Sequence, residues 1–442
     1  MHKKQSFNYF VFIFFLLVLP LLVNQSVDAE TDDTEATSSG YTPNWDAFDE
    51  ITTIGIAPFG AAQPVVAAAP NGSTVMIAYD RKRSSGGNSD PYYRVSTNNG
   101  ETWGGQQFIH ASGVNSASVA IDYDSGSQAH AVWVENDDQI SYARQAGSGW
   151  TSQKKVNQYT PLLVASPQLF ATGSSTIDLI WVQNNLLGSD PNPGISDIYH
   201  ARSINDGSSW TGKGSIFATA RDASNPALFV QGNTIHVVWA EQHATIAQRK
   251  NIFYSVSTNG GTTWSSGIDI DGESSDGRSP SITITGDILH VAFTEITDGT
   301  NPNQQFVHHV SCSLTTTCSN ANNWSSDGGI SGQVLGANNS APYSVLSGAT
   351  SFQNCTLIYF HGTIDGETTE SEQLFGTSSC NGSIWGNRET LTANDVQTLR
   401  PNLDTQNNWW VYLTFEQVDG SGKSQIWLLR NQPALYLPVI LK

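Results

Sequence analysis

Hydrophobic and polar residues alternate in short runs along most of the chain, and one kind of run keeps returning. It reads VMIAYD around Tyr79, AHAVWVE around Trp133, IDLIWVQ around Trp181, IHVVWAE around Trp239, LHVAFTE around Phe293, TLIYFH around Tyr359 and WVYLTFE around Thr414. Period-two runs rich in Val, Ile and aromatic residues predict β-strands. Copies spaced 48 to 66 residues apart mark an internal repeat. Each run follows a segment led by Pro64, Ser118, Pro167, Pro226, Pro280, Pro342 or Pro401, and precedes a third strand such as YYRVS, NIFYSVS or SQIWLLR. After the first six third strands come Trp103, Trp150, Trp210, Trp264, Trp324 and Trp385, each with a short fourth strand, whereas the seventh repeat stops after SQIWLLR. Trp45 opens WDAFDEITTI, which supplies the missing tryptophan and strand from the other end of the chain. Complementary ends of this kind let a circular array remove its open edges. The pattern therefore predicts an all-β, seven-bladed β-propeller over residues 45–430, with blades of four antiparallel strands and residues 45–56 closing the last blade. Separate sheets or an open solenoid leave the matching ends unexplained.

Between third and fourth strands the chain repeats STNNGETW (Ser96, Asn98, Gly100, Trp103), SINDGSSW (Ser203, Asn205, Gly207, Trp210) and STNGGTTW (Ser257, Asn259, Gly261, Trp264). Asn hydrogen-bonds its own turn, Gly takes a positive φ, and Trp packs on the blade. This pattern resembles the Asp-box, or BNR, repeat of the sialidase-like superfamily, with SSCNGSIW ending at Trp385 as a degenerate copy. The resemblance implies a propeller over roughly residues 45–430, six-bladed in the sialidases themselves, which is the alternative to seven. It also implies that the boxes are structural turns far from any active site.

Enzymes of that superfamily hold a sugar carboxylate with three arginines, whose planar guanidinium groups bond it bidentately. They use a glutamate-activated tyrosine as nucleophile and an aspartate as acid. The first family arginine lies in a Phe-Arg-Ile-Pro motif, and the corresponding stretch here is Ala61-Ala62-Gln63-Pro64. Arg81 and Arg83 follow the second strand of the first repeat, and Asp90 precedes its third strand, where the catalytic aspartate would lie. Arg278-Ser279-Pro280 and Arg400-Pro401 place guanidinium groups near the entrance of innermost strands. The resemblance thus gives Asp90, Arg83, Arg278 and Arg400 as a candidate catalytic set, with Tyr343 or Glu295 as further candidates.

Other candidates read as architecture. Glu135, Glu241, Glu295 and Glu416 recur two residues after the strand-two aromatic position, as a family turn feature would. His130, His236 and His290 share one repeat position and are spread around a ring, so they read as structural residues. His308 and His309 point to opposite faces of a strand. The loops SSGGNSD, LLGSDPNPGISD and DIDGESSDG are rich in oxygen ligands but lack calcium-loop spacing. No metal or cofactor is expected.

A formal charge of −19 disfavours nucleic acid and acidic lipid surfaces as partners. Lys3 and Lys4, the apolar run from Tyr9 to Val23 and the small residues Val27 and Ala29 read as a secretory signal over residues 1–29, too short for a membrane span. Residues 30–44 are an acidic linker and 431–442 an apolar tail. In an exported chain the even set Cys312, Cys318, Cys355 and Cys380 predicts disulfides. An antiparallel blade sets the start of strand two beside the end of strand three, which pairs Cys355 with Cys380 and leaves Cys312–Cys318 as a local staple. The chain reads as a secreted or cell-surface monomer that binds carbohydrate or another exported macromolecule. The rival reading is a sialidase-type glycoside hydrolase with a rearranged arginine set.

Overall fold

A computed structural model describes residues 49–50 and 61–431, except for 84–86, 158–162, 185–193, 273–275, 297–303, 331–333, 336–345, 351–354, 365–372, 381–383, 387, 393–396, 407–409 and 419–423. The expected signal, linker and tail, Trp45 and Tyr343 lie outside these residues, apart from Asn431 at the start of the tail.

Seven antiparallel blades form the described part of the chain. Blade 1 runs from the innermost strand outward as Ala61–Ala68, Val75–Lys82, Ser89–Ser96 and Gln107–Phe108. Blade 7 contributes Gln397–Gln406, Trp410–Val418 and Ser424–Arg430, and its outermost strand comes from the start of the chain. There Asp49 pairs with Leu428 and Glu50 with Trp427. The ring closure expected from the sequence is present, with seven blades. Among the described residues the one helical element is a 3₁₀ turn, Ala321–Asn323.

Blades 5 and 6 depart from the simple repeat. The outer strand Trp324–Gly329 covers one part of Gln304–Ser313, and Val334–Leu335 then pairs both with Gln304–Gln305 and with Thr363–Ile364. One short strand therefore joins two blades into a continuous sheet.

The core lies between blades. Its buried residues form seven clusters, each spanning two neighbours, as when Val132 and Tyr142 of blade 2 meet Leu179 and Trp181 of blade 3. Alternation along each strand puts one set of side chains on each face, and both faces are covered.

The three tryptophan-ended turns share one hydrogen-bond scheme. Ser96 Oγ donates to Asn98 Oδ1 (2.8 Å) and accepts from Gly100 N (2.8 Å), while Asn98 Oδ1 accepts from Thr102 N (3.0 Å). Ser203, Asn205 and Gly207, and Ser257, Asn259 and Gly261, repeat these bonds within 0.2 Å. The left-handed conformation extends to the residue before each box glycine: Asn99, Asp206 and Gly260 also have positive φ.

The tryptophans pack across the blade boundary, a contact the sequence pattern did not specify. Trp150 meets Tyr93, Trp210 meets Tyr142, Trp264 meets His200, Trp324 meets Tyr254 and Trp385 meets His309, all edge-to-face at 4.7–5.6 Å between centroids. The box glycine makes room for the same partner: a Cβ on Gly207 would lie 1.9 Å from the Tyr142 ring, and one on Gly261 2.1 Å from His200. Tryptophan and glycine thus clasp one aromatic side chain of the preceding blade.

Both expected disulfides form. The Cys312–Cys318 loop replaces the box in blade 5, where the Cys318 carbonyl accepts from Trp324 Nε1 at 2.8 Å, as the Gly100 carbonyl does from Trp103 Nε1. The repeated histidines are internal struts. His130 Nδ1 bonds Tyr142 Oη, His236 Nδ1 bonds Tyr254 Oη, and His290 Nδ1 bonds His309 Nε2, at 2.7–3.0 Å.

The clasp predicts a contrast between two glycines that both have positive φ. Gly207→Ala meets a ring and lowers stability by about 2–4 kcal/mol, combining overpacking with left-handed strain. Gly173→Ala has nothing within 4 Å of the new Cβ and costs only the strain, about 1 kcal/mol. Thermal melts of the two variants check the difference, and equal losses would remove the clasp as a stabilising device.

Candidate functional site

Six inner strands carry the same irregularity. In blade 1 the ladder runs Ala62 to Asp80, then Val65 to Ala78, so Gln63 and Pro64 together face Tyr79. Proline has no N–H to give to the ladder, and an extra residue there is absorbed as a β-bulge. Blades 2, 3, 4, 5 and 7 shift register in the same way, opposite Trp133, Trp181, Trp239, Phe293 and Phe415. The first bulge residue is left-handed in every case although none is glycine: Gln63, Ser118, Ser166, Asn225, Ser279 and Arg400 have φ between 48° and 57°. A non-glycine residue there costs roughly 1–2 kcal/mol.

These six residues, with the prolines that follow five of them, ring a central cavity of about 450 Å³. Gln168, Ser281 and Asn402 add polar groups two residues further along their strands. Four residues beyond the bulge residues, the inner strands present Asp122, Phe170, Phe229 and Asp404, with the two phenylalanines in contact at 5.2 Å between centroids. The cavity belongs to the end of the ring where second strands finish and third strands begin. The tryptophan turns sit at the other end, beside the hairpins between first and second strands, as Asn99 N→Ser73 O (2.9 Å) shows. Strands of seven to ten residues separate the two ends by roughly 25 Å.

Blade 7 requires a correction to the expected carboxylate series. The register places Phe415, not Thr414, opposite the bulge, so Glu416 follows the aromatic directly, as Asp80 follows Tyr79. Glu416 is thus the counterpart of Asp80, whereas Glu135, Glu241 and Glu295 hold the next position. Each member of the corrected pair caps the bulge amide of the next blade: Glu416 Oε2 accepts from Gln63 N (3.3 Å) and Asp80 Oδ2 from Ser118 N (2.6 Å). Asp404 and Asp122 do the same deeper in the ring, accepting from Ala68 N (2.7 Å) and Ala171 N (2.8 Å).

Burial in the channel wall raises these carboxyls: Asp80 to about 7, Asp122 to about 8 and Asp404 to about 6. Asp122 is pushed further by the charge of Asp404. Asp122 and Asp404 keep some solvent contact, yet protein surrounds their carboxyl groups, and its desolvation of them is the main cause of the rise. Asp80 is 7% exposed, and its Oδ1 is buried without a hydrogen-bond partner.

The sequence-derived set falls into three places. Asp90 is fully buried and bound by Arg83, whose Nη2 lies 2.7 Å from Oδ1, and by Ser112 N at 3.1 Å. Arg278 precedes its bulge, and its guanidinium bonds Asp276 at 3.0 Å and the Gln248 carbonyl at 3.3 Å, while Ser279 takes the cavity position. Arg400 is a bulge residue and lines the cavity, with Nη1 2.5 Å from Glu416 Oε2. Arg83 and Asp90 are brought together, Arg400 reaches the cavity, and Glu295 pairs with His308 at 3.0 Å. The five other bulge residues were not anticipated as a group. Their signal was the position before each segment-leading proline, except in blade 2, where the leading residue Ser118 is itself the bulge residue and Val119 stands in the proline position; it becomes visible once register is known.

No family model matches the chain, and no curated protein matches it. Among solved structures it is similar to a Dyadobacter fermentans protein of unknown function, at 11% identity over 87% of this chain and 99% of that one, with a TM-score of 0.49. Trypanosoma rangeli sialidase, in complex with the inhibitor DANA, matches at 11% identity over 84% of this chain and 55% of its own, with a TM-score of 0.45. Phage phi92 endosialidase matches at 12% identity over 90% and 71%, with a TM-score of 0.46. This chain spans about half the length of the trypanosomal protein.

The raised carboxyls predict how stability depends on pH. Each keeps its proton in the fold over a range where the unfolded chain, near the ordinary value of 3.8, has released it. Their contribution is therefore greatest below about pH 4 and is lost as pH rises through about 6 for Asp404 and about 8 for Asp122. Asp122→Asn retains an acceptor for Ala171 N and flattens the decline in melting temperature between about pH 6 and 8. A variant whose pH profile follows the wild type throughout contradicts this.

Proposed function

We propose that this chain is an exported, sialidase-like propeller of the Asp-box type that binds carbohydrate, free or carried on another exported macromolecule, in its central cavity. The observation that carries the reading is the ring of six left-handed, non-glycine residues around one cavity. Strain repeated at a single locus, with polar side chains turned inward, is what a ligand site preserves. The volume, about 450 Å³, suits one or two sugar units. Hydroxyl and amide groups from Ser118, Ser166, Gln168, Asn225 and Asn402 match ring hydroxyls, and the prolines offer apolar surface for the C–H faces.

Hydrolysis is the second reading, favoured by Asp80 and Glu416. Two carboxyl groups at equivalent positions differ in environment: one holds its proton to about pH 7, the other is bound to Arg400. Such a division suits an acid and its partner. In that reading Arg400 is the substrate-facing member of the set that includes Asp90, Arg83 and Arg278.

Glycine substitution separates binding from folding. Asn225→Gly and Ser166→Gly delete the inward side chain and relax the left-handed backbone. The expected outcome is an unchanged or raised melting temperature with roughly fivefold weaker retention of the glycans that the wild type selects on an array, the equivalent of one hydrogen bond. Retention unaffected in both variants removes the cavity as the binding site. Turnover of a fluorogenic glycoside panel that is lost in Arg400→Ala, with folding intact, replaces the binding reading with the hydrolytic one.

A further inference from the structure

We infer that the cavity selects an uncharged saccharide unit, held through its hydroxyl groups, and discriminates against acidic sugars. The inference rests on the carbohydrate reading above and adds the class of sugar.

The first argument is charge. Arg400 is the one charged residue among the described residues lining the cavity, and it is already matched, with Nη1 2.5 Å from Glu416 Oε2. The inner-strand region of blade 6 lies partly outside the described residues, but the sequence from Ile330 to Thr350 contains no Asp, Glu, Lys or Arg. Behind the wall stand Asp80, Asp122 and Asp404, which supply no positive charge. An anionic ligand would bring a second negative group to a guanidinium that Glu416 has neutralised, with no other cation among the described lining residues to offset it. Moving charge into such a wall without a partner is unfavourable. A neutral sugar meets no such penalty.

The second argument is an unanswered hydroxyl. Ser281 lines the cavity two residues beyond its bulge, is 6% exposed, and its Oγ has no hydrogen-bond partner. Buried hydroxyls are ordinarily paired. A group that both donates and accepts is complemented by another of the same kind, which a sugar hydroxyl provides. Ser281 is therefore the specificity-determining contact of the proposal, and its Oγ forms no hydrogen bond within the fold.

The test is calorimetric or array binding with matched oligosaccharides that differ only by a terminal sialic acid, uronic acid or sulfate, and with a chitosan oligomer as the cationic control. The neutral member is expected to bind at least about tenfold more tightly than each charged one. Ser281→Ala is expected to weaken the neutral ligand about fivefold at an unchanged melting temperature. Glu416→Gln frees Arg400 and is expected to raise affinity for the acidic member about tenfold. Equal or tighter binding of a charged member by the wild type overturns the inference and leaves the carbohydrate reading standing. Retention of no glycan at all removes both. A Ser281→Ala variant that binds as the wild type does refutes the assigned contact.

Discussion

A four-stranded sheet has two faces to cover, and in this protein each is covered by the next blade, because every hydrophobic cluster lies between neighbours and none lies within a blade. Stability is therefore a property of contacts between repeats, as in other repeat architectures, with the difference that the ring has to close. Closure places Asp49 and Glu50 beside Ser424–Arg430, and the tryptophan clasps work at the same boundaries. They tie each blade to the one before it.

Much of this was legible in the sequence because it is periodic. Alternation located strands, recurrence counted blades, and the mismatched ends disclosed the closure. The turns were recognisable because Ser, Asn and Gly have local roles that a short stretch displays in full. Packing direction was not legible: nothing in SINDGSSW says that Trp210 reaches Tyr142 of the previous blade, since that depends on a distance between sheets. The expected disulfides could be placed because strand order alone brings Cys355 beside Cys380.

The cavity was harder to read, for a reason that Arg278 and Arg400 illustrate. Both stand near a proline at the start of an inner strand, and they differ by one position. Side chains alternate across a strand, so a one-residue offset reverses the direction. Arg400 sits on the bulge and faces the channel, while Arg278 sits before it and turns to Asp276. Glu416 was assigned to the wrong series for the same reason, because the aromatic that marks the position is Phe415. A bulge is a change of register, and register is a relation between two strands that a single line of sequence does not contain.

The pairing of Asp49–Glu50 with the last strand has a mechanical side. The two strands run antiparallel, so the chain leaves the pair in both directions from the same end of blade 7. Tension applied through the flanking segments would load the latch one hydrogen-bonded pair at a time, as a zipper is opened, instead of shearing all its bonds together. Anchoring the chain by a single terminus keeps the latch unloaded, whereas stretching it between two anchors does not.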